Sequence, residues 1–452
     1  MLNTLNINIA RKVSKDFALR NGILPLNEES ESVNIISYRE NISENNLSFM
    51  FNKKIKSKYI SKNEFSKIVE NVFSGEDENI QELIFKEAID NNASDIHIEP
   101  GIDEVSVRMR IDGTLSVVRK LMLNEYRSLI QKIKINANMD ITEKRAPQDG
   151  KLLITIDGIT FDIRVSSLPV NNGEKLVLRV LRRDGLVRSI DSINFTQEQK
   201  RKLEKILLIK SGIVLVNGPT GSGKSTTLYS ILNRIKSTDV NITTLEDPIE
   251  IDIEGINQVA LNKKVNLNFA TGLRSILRQD PDIIMVGEIR DSETAEIANR
   301  AAITGHKVYS TIHTKTPGQV YIRLRDMGVE EYLLRDSIVG IISQRLIKIL
   351  CDKCKKKILN SKEKEHHYEM YSSVGCVECN NTGYKGRRVV ATVVEITNEI
   401  KAELIAGNYD FVQLSNYEMK TNLLNLLYQG DITIDDLNLF MQMEGLNEES
   451  EI

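Results

Sequence analysis

Between Gly218 and Thr226 the chain reads GPTGSGKST, and this short stretch restricts the fold more than any other. The pattern G-x-x-x-x-G-K-[ST] asks for a buried strand, a glycine-rich loop whose N–H groups turn inward, and a helix opening directly on the loop. Both flanks fit. Ile213 to Val216 form an apolar run suited to a strand covered on both faces. After the loop, Leu228, Ile231, Leu232 and Ile235 recur at helical spacing. The expectation is an α/β sheet with a phosphate grip at one strand end, aided by the dipole of the following helix. Gly218, Pro219, Thr220, Gly221, Ser222, Gly223, Lys224, Ser225 and Thr226 would line the grip. Lys224 would reach the β- and γ-phosphates, and the Ser225 hydroxyl would hold Mg²⁺.

A triphosphate grip needs a carboxylate to orient water. A second apolar run, Ile283 to Val286, leads to Gly287 and Glu288, which places an acid at a strand end. Glu288 is expected to polarise the attacking water, against the plainer reading of a pair with Arg290. Between these motifs TTLEDPIE sets Glu246 and Asp247 at the end of a short strand that Pro248 stops. One of them would hold Mg²⁺ or its water, or the acids would only cap a turn. His313 closes the run VYSTIH and is expected to sense the γ-phosphate by a hydrogen bond. His306 follows a glycine and would fix a turn; no further ligand beside this pair supports a zinc reading.

Cys351, Cys354, Cys376 and Cys379 make two C-x-x-C pairs. Two such pairs suit a closed, structural Zn²⁺ site, and the lysines of CDKCKKK would favour thiolates. Redox pairs or free thiols are the competing reading. His366 and His367 lie between the pairs as possible rival ligands. Four cysteines in 452 residues do not suggest a disulfide framework. No apolar stretch approaches a membrane helix, and the start shows no secretory signal, so a cytoplasmic location is expected. With 27% charged residues but a net charge of −3, no basic field argues for nucleic acid.

The chain divides into four expected parts. Residues 1–75 form a small α/β domain with strands at GILPL, VNIISY and LSFMF and a helix at SKNEFSKIVENVF. Residues 78–190 open with the helix QELIFKEAIDNN and continue with VSVRMRIDG, LLITIDG and ITFDIRVSSL, which alternate at period two as an antiparallel meander. Residues 191–346 hold the phosphate motifs, and 347–452 hold the cysteines and a helical tail.

Taken in order, these motifs resemble one family, the secretion ATPases of type II secretion and type IV pilus assembly. GPTGSGKST resembles its Walker A, TTLEDPIE its Asp box, DIIMVGEIRD its glutamate-ended Walker B, and TGHKVYSTIHT its His box. ASDIHIEP, VRMRIDG, APQDGKL and FDIRVSSLPVNNGEKLVLRVL are similar to its middle domain, and CDKC with GCVECNNTGYKGR to its cysteine module. The resemblance implies a RecA-like ATPase domain, a PAS-like α+β middle domain, a small N-terminal α/β domain and a zinc-binding helical C-terminal region. It also implies a homohexamer in which arginines complete the site across domains or subunits. Arg164 in DIRVSS, and Arg274 and Arg278 in GLRSILRQD, resemble positions used near phosphate. Lys151 stands where the family commonly has arginine, so any phosphate contact there would lack the planar fork.

The implied function is ATP hydrolysis, with Mg²⁺, at the cytoplasmic face of the inner membrane. It would power pseudopilus assembly and export across the outer membrane. Extension of a type IV pilus is the alternative, and the short amino-terminal region leans toward secretion or a type IVb-like system. The partners implied are an inner-membrane platform protein and a membrane-anchored protein bound by the N-terminal domain. A RecA-type nucleic-acid translocase finds no support in an aromatic content of 5% with no Trp. A nucleotide-binding adaptor without turnover would not need Lys224, Ser225, Glu246 and Glu288 together.

Overall fold

The computed structural model describes residues 5–446, apart from 11, 14, 30, 40–50, 52, 74–79, 183–186, 359–368 and 409–411. The chain forms two compact units, residues 1–90 with 122–135 and residues 91–121 with 136–452.

In the first unit β1 (Ile23–Glu28) pairs antiparallel with β2 (Ser32–Ser37), and β2 pairs parallel with β3 (Lys54–Tyr59). β3 is absent from the strands expected from sequence. Its residues, KIKSKY, are nearly all exposed, so no apolar alternation marks it. The expected strand LSFMF lies, except for Phe51, outside the described residues. The helix Lys62–Phe73 starts where the Ser61 hydroxyl accepts from the Glu64 N–H at 3.3 Å. It buries Phe65, Val69 and Val72 with Leu24 and Ile36. The helices Ile7–Ala10, Lys15–Asn21 and Ile80–Asp90 also belong to the unit, as does Leu123–Asn136 up to residue 135.

The second unit holds two larger sheets. The first is antiparallel: β4 (Asp95–Pro100), β5 (Val105–Ile111), β6 (Thr114–Leu121), β7 (Gln148–Ile156), β8 (Ile159–Val170) and β9 (Gly173–Arg182), in the order β6-β5-β4-β9-β8-β7. The two D-G turns behave as read. Asp112 and Gly113 have φ of 47° and 83°, and Asp157 and Gly158 have 51° and 78°. Positive φ at both central residues is what a two-residue type I′ hairpin turn requires.

The second sheet contains β10 (Gly212–Asn217), β11 (Ile242–Glu246), β12 (Asn257–Ala260), β13 (Ile283–Val286), β14 (Lys307–Ile312) and β15 (Ile338–Leu350), all parallel where paired. A small ribbon, β16 (Lys356–Ile358) with β17 (Met370–Ser372), stands apart from it, and β18 (Tyr384–Glu395) closes it antiparallel to β15. The order is β12-β11-β13-β14-β10-β15-β18. Alternate residues of β10 serve two cores. Ile213 and Leu215 pack with the helices Phe269–Ile276, Ser292–Ile303 and Pro317–Asp326. Val214 and Val216 pack with Gln197–Leu208 and Lys224–Ile235. β15 runs without a break through residues 346 and 347, and β18 returns from beyond the cysteines, so this sheet draws strands from both expected C-terminal parts. The helices Val412–Tyr428 and Ile434–Glu444 bury Leu423, Leu426 and Leu437 against Ile347, Ile349 and Val390. No helix among the described residues is long and apolar enough to cross a membrane.

Candidate active site and metal centre

The phosphate loop leaves the carboxyl end of β10, between β14 and β15. Gly218 is required by closeness: a Cβ there would lie 2.4 Å from the Gln344 carbonyl oxygen. Gly223 is required by conformation, with φ of 85° immediately before the helix. That helix has no side-chain cap, so its first N–H groups face the loop free for an anion. The Ser222 hydroxyl is buried in the loop and has no hydrogen-bond partner. Lys224 is 8% exposed and donates to the carbonyls of Gly218 and Pro219, each at 2.9 Å. Burial pushes its pKa down, the Glu288 charge opposes this, and Arg345 adds to it. An ammonium so placed and poorly hydrated suits an incoming phosphate anion, and these groups together fit a nucleotide triphosphate with Mg²⁺.

Glu288 lies beyond β13, where Ser310 and Thr311 of β14 donate to the carbonyls of Val286 and Gly287, both at 2.7 Å. Its carboxylate is 2.5 Å from Arg290 Nε and 3.6 Å from His313 Nε2. Burial, then Lys224, push the His313 pKa down against the opposing Glu288 charge, which favours the neutral ring. His306 Nδ1 meets the Ala301 carbonyl at 3.0 Å, where it ties the turn before β14.

The acids of TTLEDPIE separate into different settings. Glu246 is 4% exposed and receives hydrogen bonds from Tyr229 Oη, Thr244 Oγ1 at 2.5 Å and Gln258 Nε2 at 3.1 Å. Its oxygens are largely spoken for. Asp247 is exposed and joined to Pro248 by a cis peptide bond. Glu250 retains an open side, its backbone N–H donates to Tyr229 Oη at 3.2 Å, and the Ser225 hydroxyl is near enough to act on its carboxylate. Crowding by protein raises its pKa, the neighbouring Glu246 charge raises it further, and Ser225, Arg164 and Arg179 pull it back. The sequence reading passed over Glu250. The available signal was a third acid, just past a proline that turns the chain.

Arg164 of β8 donates from Nη2 to the Ile249 carbonyl at 3.0 Å, so the antiparallel sheet touches the loop that carries Glu250. Arg274 and Arg278 are placed otherwise in the single chain. Arg274 pairs with Glu293, and Arg278 donates to the Arg274 carbonyl at 2.8 Å. Lys151 pairs with Asp162 at 2.6 Å.

Cys351, Cys354, Cys376 and Cys379 come together with all four sulfurs within 4.8 Å of one another. Three of the Sγ···Sγ distances are 3.9 Å (Cys351–Cys376), 3.7 Å (Cys354–Cys379) and 3.8 Å (Cys376–Cys379). A tetrahedron with Zn–S of ~2.3 Å has S···S edges of about 3.8 Å, so the set fits zinc. Backbone N–H groups of Cys376 and Gly383 point at Cys379 Sγ, at 3.2 and 3.3 Å. Burial raises the Cys379 pKa, but these donors outweigh it and favour the thiolate. Cys354 is pushed the other way, by burial first and then by the neighbouring thiols. His366 and His367 lie outside the described residues.

A phosphate loop at the end of a central parallel strand, acids on adjacent strand ends and helices on both faces define a RecA-like P-loop ATPase. The chain belongs to the type II/IV secretion system protein family, whose sequence pattern matches residues 75–437. It is 42% identical over 368 residues to the putative type II secretion system protein E of Escherichia coli, covering 78% of this chain and 74% of that protein. To the Vibrio cholerae type II secretion system ATPase E it is 44% identical over 328 residues, 71% of this chain and 65% of the relative. The Thermus thermophilus type IV pilus assembly ATPase PilB is 42% identical over 72% of this chain, but only 38% of PilB is spanned. Among solved structures, the Legionella pneumophila ATPase DotB superimposes with a TM-score of 0.62 at 25% identity, over 80% of this chain and 95% of that one. The pilus retraction motor PilT, solved with bound ADP, gives 0.54 at 28% identity over 78% and 94%.

Proposed function

We propose that this protein hydrolyses ATP as a homohexameric motor at the cytoplasmic face of the inner membrane, driving pseudopilus assembly for type II secretion. The observation that carries the reading is the junction at the β10 strand end. Lys224, Ser225, Glu250 and Glu288 converge there, and Arg164 arrives from a second sheet.

In this reading Gly218 to Thr226 wrap the phosphates and Lys224 exchanges its two carbonyl contacts for phosphate oxygens. Ser225 and Glu250 would hold Mg²⁺, which when bound would neutralise charge developing on the transferred phosphoryl group. Glu288 orients and polarises the water, and neutral His313 reads the γ-phosphate through the hydrogen bond it can donate. Glu246 shapes the strand end and keeps Tyr229 in place. Arg164, and Arg274 and Arg278 from an adjoining subunit, stabilise transition-state charge. The cysteines hold Zn²⁺ as a structural clip.

The working division is residues 1–75 for docking on a membrane-anchored protein, 78–190 as the middle domain, 191–346 for catalysis, and 347–452 for the zinc module and tail. An inner-membrane platform protein receives the motion. The similarity to PilB supports pilus extension as the second reading.

Lys224→Ala should abolish MgATP hydrolysis by the purified chain, and in cells it should abolish export of secreted proteins. Loss of surface pili with export intact would select the pilus reading. Undiminished hydrolysis would refute the site.

A further inference from the structure

Three successive residues of β15 lie beneath the phosphate loop and the strand end that precedes it. The Ser343 hydroxyl donates to Asn217 Oδ1 at 2.5 Å, and Gln344 Nε2 donates to the Ser222 carbonyl at 2.7 Å. The third, Arg345, is 4% exposed. A Cβ on Gly218 would come within 3.3 Å of its Nη1. A guanidinium at this depth is tolerated only when its N–H groups find acceptors.

Arg345 takes them from three places. Nη1 donates to the Gln344 carbonyl at 3.0 Å, and Nη2 to the Lys315 carbonyl at 2.9 Å. Nε and Nη2 meet the two oxygens of Glu444, each at 2.7 Å. This is a two-pronged carboxylate pairing, which fixes direction as well as charge. Glu444 is the last residue of the helix Ile434–Glu444. Lys315 stands two residues beyond His313, in the stretch whose Thr314 and Thr316 carbonyls accept from Asn217 Nδ2 at 3.3 and 3.4 Å.

One buried cation therefore joins the underside of the phosphate loop, the loop that carries His313, and the end of the C-terminal helix. Its charge also bears on Lys224. A shift of residues 313–316 moves the Lys315 acceptor of Arg345, and a shift of Gly218 moves the backbone packed beside its Nη1. Among its contacts, the fork to Glu444 leads out to the tail. We propose that Glu444 is a positioning residue for the phosphate site, and that through Arg345 the C-terminal helix is coupled to nucleotide occupancy. The inference rests on the reading of Gly218–Thr226 as the ATP site.

A tail that is merely anchored would lose melting temperature without its anchor and leave nucleotide binding alone. Coupling has a different signature, because linkage is reciprocal: what the tail does for the nucleotide, the nucleotide does for the tail. The test uses the full chain with MgADP as probe. Amide exchange across residues 434–446 is followed with and without MgADP, and MgADP affinity is measured in Glu444→Gln, Arg345→Lys and the double variant. The expected result is slowed exchange in the wild type, a loss of affinity of about tenfold in Glu444→Gln, and no slowing in that variant. Arg345→Lys keeps charge but loses the fork, so it should act alike, and the double variant should add little. Wild-type affinity in Glu444→Gln, or wild-type exchange indifferent to MgADP, overturns the coupling. A wild type that binds no MgADP at all overturns the ATP site itself, and the coupling with it.

Discussion

Glu246 and Glu250 stand four positions apart and meet different surroundings. Glu246 is surrounded by Tyr229, Thr244 and Gln258, whereas Glu250 faces the Ser225 hydroxyl. Glu246→Gln replaces an acceptor by a donor among three donors, so it should lower stability by about 1–3 kcal/mol. Glu250→Gln should leave the melting temperature in place and cut kcat by roughly 100-fold or more. Thermal unfolding and steady-state ATPase assays on the two variants separate these outcomes. If Glu246→Gln stops turnover while the fold keeps its melting temperature, the two roles are reversed. The sequence displays all three acids of TTLEDPIE but not their partners. Tyr229 is 17 residues before Glu246 and Gln258 is 12 after it, and only the folded sheet brings them to one carboxylate.

At the scale of elements, β14 opens with a buried cation. Lys307 is 3% exposed, and its ammonium donates to the Ile206 carbonyl at 2.8 Å. Burial pushes its pKa down from 10.5 to about 8. Between these values the unfolded chain holds a proton that the folded chain has released, so stability rises with pH across the window. The effect is at most about 1.4 kcal/mol per pH unit. Urea or thermal unfolding of the wild type and Lys307→Met from pH 7.5 to 10 should show the difference moving in favour of the wild type as pH increases. A flat difference would mean the lysine keeps its proton inside the fold. The cysteine element gives a second expectation. Metal analysis in reducing buffer should find one zinc per chain, and Cys379→Ser should lose that zinc and loosen the tail. The tail is linked to the module because Leu350 donates to the Asp431 carbonyl at 2.7 Å and Lys355 to Gly430 at 3.1 Å. Element identity follows how strongly a segment is patterned. β10 and β13 are apolar runs and were legible, as were the D-G hairpins. β3 was not, because an exposed edge strand of lysines carries no burial signal.

For the whole molecule, the proposed ring predicts a mass about six times the 51.2 kDa of the chain in the presence of nucleotide. Light scattering with MgADP checks it, and a monomer at every concentration would remove the ring. In the single chain Arg274 is paired with Glu293, so a role at phosphate requires an adjoining subunit to receive it. Arg274→Ala should then lower kcat in the assembled ring while leaving MgADP binding by dilute monomer unchanged.

Local chemistry is written in order along the chain, and the sequence alone determined what depends on it. Gly218 to Thr226 must form a loop between strand and helix. The D-G pairs must turn, and two C-x-x-C pairs make a tetrahedral site possible. Tertiary structure decided everything that requires distant residues to share space. It locked Glu246, left Glu250 facing Ser225, and carried β15 across an expected boundary to pair with β18. It also placed Arg345 between the phosphate loop and Glu444. The reason is physical: spacing sets which way a side chain points within its own element, but burial and hydrogen-bond partners come from elements far away in the chain.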